Sequence, residues 1–594
     1  MKYLASASVL AFTITSHASA QEPFRLGTLF FSVSNTPILA SRTGAIVSVI
    51  EGDRLIGADT SLAQTLDRQA GVSFSTNGGL GSYATVRIRG LDNRYVAVRV
   101  DGIDVSDPSS SQNAFNFAGL TYGGLGRVEL LKGSQSAIYG SEAIGGVVDI
   151  SSARPIELGF SGSASFEAGS FGTLSSALTL AQKGERGEVT LAYSHTKTDG
   201  ISARASNTEE DGYNENRISL TGRYILTDAV TLGGALLWRD SDAEYDLSVT
   251  NTAGELASTQ KGGRFFAEIQ TGAVQNTLAF SAFENSRKDP LGYTTSFEGD
   301  RRQFEYRGSA DLGATRLNFG LDSTKESFTL PSAAGEQTTN AVFAEAMYAW
   351  NEALDISLAL RHDEHSEFGG KTTGRLAAAW RPSEETIIRA VVGSGFRAPS
   401  LYELYGPYGL ATLVPENSRS AELSIEKAYG DLASVKATLF YTEIDDKIGY
   451  AGATYNQVSG MTRSEGFELE GNWQATDRIN VYGGYTYTNA RTNGARDVRI
   501  PLHDLTVGVQ AKVNDRLSAG LELSRVADVV PSIYAPVNHK VGDYTLVNFT
   551  ATYGLSKTTE AYLRVENLTD EDYETAGGFN QPGRAAYFGV RTSF

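Results

Sequence analysis

The sequence predicts an all-β membrane protein, an antiparallel transmembrane β-barrel of about 22 strands whose lumen holds a small α+β domain from the N-terminal part of the chain. Three observations predict this class. Segments in which apolar and polar residues alternate run from about residue 159 to residue 594. The first 20 residues have the order of a secretory signal. Residues 33–153 carry a different pattern, punctuated by glycine.

The N-terminus has the features of a secretory signal peptide. Lys2 supplies one positive charge, an apolar run follows from Leu4 to Ile14, and Ala18-Ser19-Ala20 forms a small-residue cleavage site. A transmembrane helix needs about 20 apolar residues, and this run is shorter. We therefore expect residues 1–20 to be removed and residues 21–36 to form an N-terminal tail outside the cytoplasm.

Composition excludes several classes of protein. The chain of 594 residues has a mean hydropathy of -0.22 and no further segment like a spanning helix, which excludes a helical membrane protein. Its 63 Gly, 28 Tyr and 27 Phe suit a barrel with tight turns and aromatic girdles. The absence of Cys removes thiolate metal sites and Cys nucleophiles. The net charge of -18 argues against a nucleic-acid partner.

Residues 156–594 repeat one strand design. Val189, Leu191 and Tyr193, for example, alternate with small or polar residues. Such alternation predicts strands with two different environments. In a secreted array of β-sandwiches the apolar face would meet another sheet, whereas in an outer-membrane barrel it meets lipid. Segments of about ten residues, as a tilted spanning strand requires, favour the barrel.

Residues 37–155 predict a mixed α+β globule. Asp59-Thr60 can cap a short helix that carries Leu62 and Leu66 on one face, with Gly71 as its stop. Short apolar strands are predicted at Ala84 to Ile88, Tyr95 to Val100, Arg127 to Leu131 and Gly146 to Ile150. No Pro- or Ser-rich linker follows, so we expect the globule to be tethered closely to the first barrel strand.

Several motifs of this globule resemble a known family. They are Arg87-Ile88-Arg89-Gly90, Val100-Asp101-Gly102, Arg127-Val128-Glu129, Lys132-Gly133-Ser134-Gln135-Ser136-Ala137-Ile138-Tyr139-Gly140 and Ala143-Ile144-Gly145-Gly146. At these spacings they resemble the plug signature of the TonB-dependent outer-membrane receptors. Lys132 stands where Arg is usual, which keeps the charge but loses the bidentate fork, and Ser134 stands where Pro is usual. The resemblance implies a monomeric, plugged barrel, surrounded by outer-membrane lipid, that imports a scarce ligand with energy from a TonB transducer.

The resemblance also implies residues for energy coupling. An extended segment near the mature N-terminus would pair by its backbone with a sheet edge of the TonB partner. The candidate TonB box comprises Gly27, Thr28, Leu29, Phe30, Phe31 and Ser32. Basic residues of the plug meet Glu residues of the barrel wall in this family. The candidates are Arg89, Lys132 and Glu422, together with Glu465 or Glu468. The alternatives are an ordinary apolar tail and solvated lumen charges without a role in gating.

Within the family, the plug loops are most similar to those of cobalamin (vitamin B12) receptors. Small polar residues and exposed backbone could hydrogen-bond the amide side chains of a corrinoid. The candidate substrate-binding residues are Asn77, Gly78, Gly79, Ser82, Tyr83, Ser109, Ser110, Ser111 and Asn113. These loops could equally be apical plug loops of a kind that any member of the family has.

The same subgroup orders its external loops with calcium. Ca²⁺ takes six to eight oxygen ligands, and clustered carboxylates supply them. The candidate ligands are Asp199, Glu209, Asp211, Asp240, Asp242 and Asp246. A solvated acidic rim would explain the same residues in a chain of net charge -18.

Other cargoes and other classes of protein stay open to different degrees. Phe396-Arg397-Ala398-Pro399-Ser400-Leu401-Tyr402 resembles a box of haem receptors, and ferric-siderophore receptors share every plug motif named above. His362 and His365 are three residues apart, so on a strand they would face opposite sides. A passive porin would need no plug. We expect no enzyme, because HExxH, G-x-S-x-G and P-loop motifs are absent.

Overall fold

The computed structural model describes residues 28–34, 36–52, 60–247, 253–532 and 534–594. The predicted signal peptide and Gly27 of the candidate TonB box lie outside these residues. The described chain consists of a small N-terminal domain, the plug, and a closed barrel around it. Among the described residues, no helix is long and apolar enough to cross a bilayer.

The plug contains nine strands and two short helices among the described residues. In chain order they are β1 (Leu29–Phe30), β2 (Ile38–Leu39), β3 (Ile46–Glu51), α1 (Leu62–Asp67), β4 (Val72–Thr76), β5 (Ala84–Ile88), β6 (Val96–Val100), β7 (Ile103–Asp104), β8 (Leu125–Lys132), α2 (Ser136–Tyr139) and β9 (Gly146–Ser152). The central sheet has the order β3-β8-β9-β6-β7, with β6 and β9 parallel. Its apolar side chains pack with Leu62 and Leu66 of α1 in one core. The four strands predicted for the globule are confirmed within two residues at each end.

The predicted ends of α1 are wrong by one to three residues. Ser61, not Asp59-Thr60, is the N-cap, and its side chain forms a capping box with Gln64. The hydroxyl of Thr60 donates instead to Glu566 of the barrel. Gly71 adopts a φ of 78°, which favours glycine, but it lies beyond the last helical turn. The sequence contains two adjacent hydroxyl residues, and only the tertiary contact with the barrel distinguishes them.

The remaining elements follow in chain order. They are β10 (Gly159–Gly169), β11 (Thr173–Lys183), β12 (Gly187–Ile201), β13 (Asp211–Thr227), β14 (Val230–Asp246), β15 (Ala253–Thr271), β16 (Val274–Lys288), β17 (Ser296–Leu312), β18 (Thr315–Leu330), β19 (Ala333–Asn351), β20 (Leu354–His365), β21 (Gly369–Ser383), β22 (Thr386–Arg397), α3 (Leu401–Tyr405), β23 (Glu416–Tyr429), β24 (Ala433–Asp445), β25 (Ile448–Ala451), β26 (Thr454–Gln457), β27 (Met461–Thr476), β28 (Ile479–Thr492), β29 (Ala495–Arg496), β30 (Pro501–Lys512), β31 (Leu517–Val529), β32 (Tyr544–Gly554), β33 (Thr559–Glu566) and β34 (Ala585–Ser593).

Antiparallel pairing of 22 of these strands closes the barrel in the described part of the chain. β10 pairs with β34, which places Ser163 opposite Ser593. β25 and β26 form a separate external hairpin, and β29 only extends the top of β28. The predicted strand count and antiparallel order are therefore confirmed.

The barrel wall has the two environments that the alternation predicts. On β12, Val189, Leu191 and Tyr193 are exposed on the outside, whereas Ala192 and Ser194 are buried against the plug. The apolar outer face meets lipid and the inner face meets a folded domain. The protein is thus an outer-membrane barrel with a filled lumen.

Candidate functional site

The N-terminal segment of residues 28–34 lies against the periplasmic end of the plug. β1 pairs with β2, with Leu29 opposite Leu39. Phe30 is buried in an apolar cluster with Val33 and Ile38. Leu29 and Phe31 are 42% and 55% exposed, so the segment presents apolar side chains to the periplasm.

A buried carboxylate holds this segment. The Glu129 carboxylate of β8 accepts hydrogen bonds from Phe31 N at 3.0 Å, from Ser32 N at 2.9 Å and from the Ser32 hydroxyl. Arg127 donates to Leu29 O at 2.6 Å, and Tyr139 of α2 donates to Ser32 O. Backbone groups held in this way are not free to pair with another chain. Glu129 is not among the coupling residues predicted from the sequence, although it is part of the Arg127-Val128-Glu129 motif.

A second buried network joins the plug to the barrel wall. Arg89 lies 2.7 Å from Glu422 of β23 and 2.7 Å from Glu468 of β27. Lys132 lies 3.5 Å from both Glu468 and Glu470. Burial lowers the pKa of Arg89, but the two facing carboxylates raise it more, so the net shift is upward and the guanidinium stays charged.

Glu465 does not belong to this network. It is exposed on the outer face of β27, because residues three apart on a strand point to opposite sides. Its place is taken by Glu470, which shares the lumen face with Glu468 and also pairs with Lys436 at 2.9 Å. The period-two rule applied to β27 would have identified Glu470 and rejected Glu465.

The predicted substrate loops cap the plug, but only part of each is accessible. Tyr83 and Ser111 are exposed, and Asn77, Gly79 and Ser110 are half-buried. The remaining candidates are buried and hold the loops in place; they are Gly78, Ser82, Ser109 and Asn113.

Two contacts show how the second apical loop is fixed. Ser109 bonds to Asp107 at 2.7 Å and receives a hydrogen bond from Arg287 of β16. Asn113 donates to Glu142 and to Glu326 of β18. The loop is therefore attached both to the barrel and to the residues just after α2.

The structure brings together three of the six predicted calcium ligands. Glu209, Asp211 and Asp246 are in mutual contact at the top of β13 and β14. Both carboxylate oxygens of Glu209 and one of Asp211 are buried without a hydrogen-bond partner among the described residues. Unpaired buried oxygens are what a hard cation would neutralise. Among the described residues, no three His, Cys, Asp or Glu side chains are placed so that they could hold a metal ion in this arrangement.

The other three predicted ligands point elsewhere. Asp199 is exposed and lies 4.0 Å from Lys197. Asp240 and Asp242 are on the outward face of β14, where Asp240 accepts a hydrogen bond from Thr259. Asp246 has the same parity on β14, but it is the last residue of the strand, and there it accepts hydrogen bonds from Arg204 N at 2.7 Å and from Asn207 of the neighbouring loop.

The box similar to haem receptors has a structural role. Arg397 is fully buried between Glu403 of α3 and Glu416 of β23, at 2.9 Å from each. This fixes the external loop that carries α3. His365 is buried and His362 is exposed, as strand alternation predicts, so they do not form a ligand pair.

Comparison with known proteins assigns both parts of the chain. Residues 159–568 match the family model described as "TonB dependent receptor-like, beta-barrel", and residues 40–147 match "TonB-dependent Receptor Plug Domain". The chain is similar to the vitamin B12 transporter BtuB of Vibrio cholerae serotype O1, with 25% identity covering 100% of this chain and 99% of that protein. BtuB of Photobacterium profundum is 26% identical over 89% of each.

Solved structures show the same fold at lower identity. The siderophore receptor PirA from Acinetobacter baumannii has a TM-score of 0.78 at 16% identity, over 92% of this chain and 98% of that one. The ferripyoverdine receptor of Pseudomonas aeruginosa has a TM-score of 0.79 at 14% identity, over 96% and 89%. At such identities the likeness concerns the fold alone.

Proposed function

We propose that this chain, which belongs to the TonB-dependent receptors of the outer membrane, actively imports cobalamin or a related corrinoid. The observation that carries the cargo is the similarity to vitamin B12 transporters along the whole chain. The geometry supports the transport step, because the lumen is filled and a periplasmic segment is held by contacts that can be released.

The cargo would bind at the outer face of the plug. Asn77, Gly79, Tyr83, Ser110 and Ser111 offer amide, hydroxyl and backbone groups at that surface. A corrinoid carries amide side chains around its ring, and these would pair with such groups. The buried candidates Gly78, Ser82, Ser109 and Asn113 would shape the loops without touching the cargo.

Calcium would order the neighbouring external loop. Glu209, Asp211 and Asp246 would hold the ion, with backbone carbonyls and water completing its coordination. The unpaired oxygens of Glu209 and Asp211 support this part of the proposal. The ion would relieve the repulsion among three adjacent carboxylates and so fix the loop of residues 201–211 beside the plug.

Energy would enter through residues 28–32. Cargo at the apex would shift the plug enough to weaken the hold of Glu129 on Phe31 and Ser32. The freed segment would then add as a strand to the periplasmic TonB partner. The network of Arg89 with Glu422 and Glu468 would keep the rest of the plug attached to the wall during the pull.

Two experiments test this function. Cyanocobalamin binding to the purified protein in detergent, with calcium and then with a chelator, should be tight and should weaken on chelation. Cyanocobalamin binding that is unchanged by the chelator would support the cargo and contradict the calcium site. Binding of haem or a ferric siderophore, without cyanocobalamin binding, would refute the proposed cargo. Deletion of Gly27 to Ser32 should abolish uptake and leave binding intact, and retained uptake would contradict the coupling role.

A ferric siderophore is the second candidate cargo, and one surface favours it. Tyrosines of three external loops form a continuous aromatic cluster above α3. Tyr293 stacks on Tyr408 at 5.7 Å between ring centroids, and Tyr450 lies 5.6 Å from both Tyr408 and Tyr455. Two of these rings, Tyr293 and Tyr450, are exposed and suit a ligand with aromatic groups. If an aromatic siderophore is the cargo, Tyr450→Ala should weaken its binding. If cobalamin is the cargo, the same substitution should leave cyanocobalamin binding unchanged.

A further inference from the structure

The outer face of the barrel carries a row of arginines where four neighbouring strands approach the external loops. The register places Arg419 of β23 opposite Glu443 of β24. The same row continues with Arg463 of β27 and Arg491 of β28. All four side chains point away from the plug, because a residue next to each of them in its strand is buried toward the lumen. Adjacent strands are about 4.8 Å apart, so this arginine row spans about 14 Å.

The guanidinium groups of the arginine row have few bonds within the protein. The Arg419 side chain is 79% exposed, and its ion pair with Glu443 is long, at 3.7 Å. Among the described residues, Arg463 donates only from Nε, to Met461 Sδ at 3.2 Å. Arg491 uses Nε and Nη1 for nearby acceptors, which leaves its Nη2 without a bond in the same part of the chain. Exposed pairs of this kind contribute little, so these donors are available to an anion.

The positive charge is confined to this one depth of the wall. Three arginines and Glu443 give the row a charge of +2, whereas Asp445 lies one row above and Glu465 one row below. On β14, by contrast, the outer face is acidic at Asp240 and Asp242. Below the arginine row the exposed side chains of these strands are mostly apolar. The row therefore lies where the lipid band ends and the headgroups of the outer leaflet begin.

An apolar groove of about 430 Å³ begins directly below Arg419 on the same outer face. Small side chains form its floor and larger ones its sides; they include Ala378, Ala390 and Ala421 on the floor and Leu423, Leu439 and Tyr441 on the sides. Ala421 pairs with Tyr441, whose hydroxyl donates to Glu443 at 2.8 Å, so the groove joins the arginine row without a gap. In the described chain no plug residue lines the groove, which therefore opens to lipid. Such a depression loses van der Waals contact unless an acyl chain fills it.

We propose that the arginine row and the groove below it form a binding site for one phosphorylated, multiply acylated glycolipid of the outer leaflet. Its phosphates bond to Arg419 at one end and to Arg463 and Arg491 at the other, because a guanidinium pairs with phosphate through two parallel hydrogen bonds. One acyl chain lies in the groove. A span of about 14 Å admits a disaccharide headgroup with a phosphate at each end. The site lies outside the lumen and is independent of the cargo.

The first test identifies the class of ligand. The purified full chain, freed of lipid in detergent, is titrated with diphosphoryl lipid A, and bound lipid is counted by native mass spectrometry. A chelator is present, so that divalent cations cannot bridge lipid phosphates to the acidic faces of the barrel. We expect one saturable site, with monophosphoryl lipid A at least ten-fold weaker. Absence of a saturable site would overturn the proposal, as would equal binding of monophosphoryl lipid A, of phosphatidylglycerol or of the diphosphorylated disaccharide without acyl chains.

The second test uses matched variants of the row and of the groove. R463Q/R491Q should weaken lipid A binding at least ten-fold, whereas Arg302→Gln, at an exposed arginine on the outer face of β17, should change it less than two-fold. Ala390→Phe fills the groove and should weaken binding at least five-fold. Ala344→Phe, at an exposed alanine of β19 outside the groove, is its control and should have no effect.

The folded state of each variant is checked by its heat-modifiable migration in SDS. Equal effects of R463Q/R491Q and Arg302→Gln would reduce the site to general charge attraction, and equal effects of the two phenylalanine variants would remove the groove from it. Either result would overturn the proposal. None of these side chains faces the lumen, so failure of the unmodified protein to bind cyanocobalamin would refute the proposed cargo and leave the lipid measurement to decide this site.

Discussion

Replacement of Glu129 by Gln should release the N-terminal segment. Glu129 is 3% exposed and accepts two backbone hydrogen bonds and one hydroxyl bond from Phe31 and Ser32. Gln has the same size but is neutral, and its amide nitrogen cannot accept. Hydrogen bonds to charged groups contribute about 1.5–3 kcal/mol, against about 1 kcal/mol for neutral ones. We therefore expect the docked state to lose about 2 kcal/mol, which shifts its equilibrium about 30-fold toward release.

The mobility of a nitroxide at Leu29→Cys, a side chain already exposed to the periplasm, measures this equilibrium. The mobile fraction should rise with Glu129→Gln, and the apparent affinity for a TonB periplasmic domain should rise by the same factor. Glu51→Gln is the matched control, because Glu51 also pairs with Arg127 but does not contact the segment in the described residues. A spectrum that Glu129→Gln leaves unchanged would show that other contacts hold the segment.

Three further predictions follow from buried charges. Arg89→Ala removes the ion pair of Glu422 and leaves Glu468 with Lys132 alone, at 3.5 Å, so it should destabilise plug docking by about 3–5 kcal/mol in denaturant titration. Glu465→Ala should change the docking free energy by less than about 0.5 kcal/mol. Equal effects of the two substitutions would contradict the assignment. Burial raises the pKa of Asp149 to about 7 against the pull of Arg99, with neighbouring carboxylates adding to the rise. The stability that Asp149 contributes is therefore present below its ordinary pKa of 3.8 and is lost as pH rises through 7. Asp149→Asn should flatten the fall in plug stability between these two pH values. An unchanged slope would show that Asp149 does not cause the fall. Glu209→Gln should raise by about ten-fold the calcium concentration that protects the loop of residues 201–211 from hydrogen exchange. Glu210→Gln is the control and should leave that concentration unchanged. Equal shifts in the two variants would argue for a diffuse acidic rim.

The architecture could be predicted because it depends on local pattern. Alternation of apolar and polar residues along single strands indicates a wall with lipid on one side, and the number of such segments sets the size of the barrel. The plug strands were predicted because each is a short apolar run bounded by glycine. The same rule decides which wall charges face the lumen, and it would have excluded Glu465 had it been applied residue by residue. It puts Asp240, Asp242 and Asp246 on one face of β14, so only the folding of the loop onto the end of the strand distinguishes Asp246.

The charged partners across the lumen, Arg89 and Lys132 with Glu422 and Glu468, could be named from the sequence only through the family resemblance, because strand pattern does not pair them. Arg89 and Glu468 are 379 positions apart, and their contact depends on the register of many strands and on how the plug is rotated inside the barrel. Glu129 gave no sequence signal for its role, because its partners are backbone groups of a segment with low sequence specificity. The unpaired oxygens of Glu209 and Asp211 likewise appear only once the loop is folded against β14.

The class of this protein could be read from the sequence: an outer-membrane, lipid-facing barrel with a TonB-dependent receptor plug, preceded by a short apolar segment. The tertiary structure was needed to identify Glu129 as the carboxylate that holds that segment, and to show that Glu468 and Glu470, not Glu465, face the plug. The alternation of apolar and polar residues along a strand involves neighbouring residues, so it can be recognised in the sequence. Ion pairs and unsatisfied polar groups depend on distances between residues that only the closed barrel brings together.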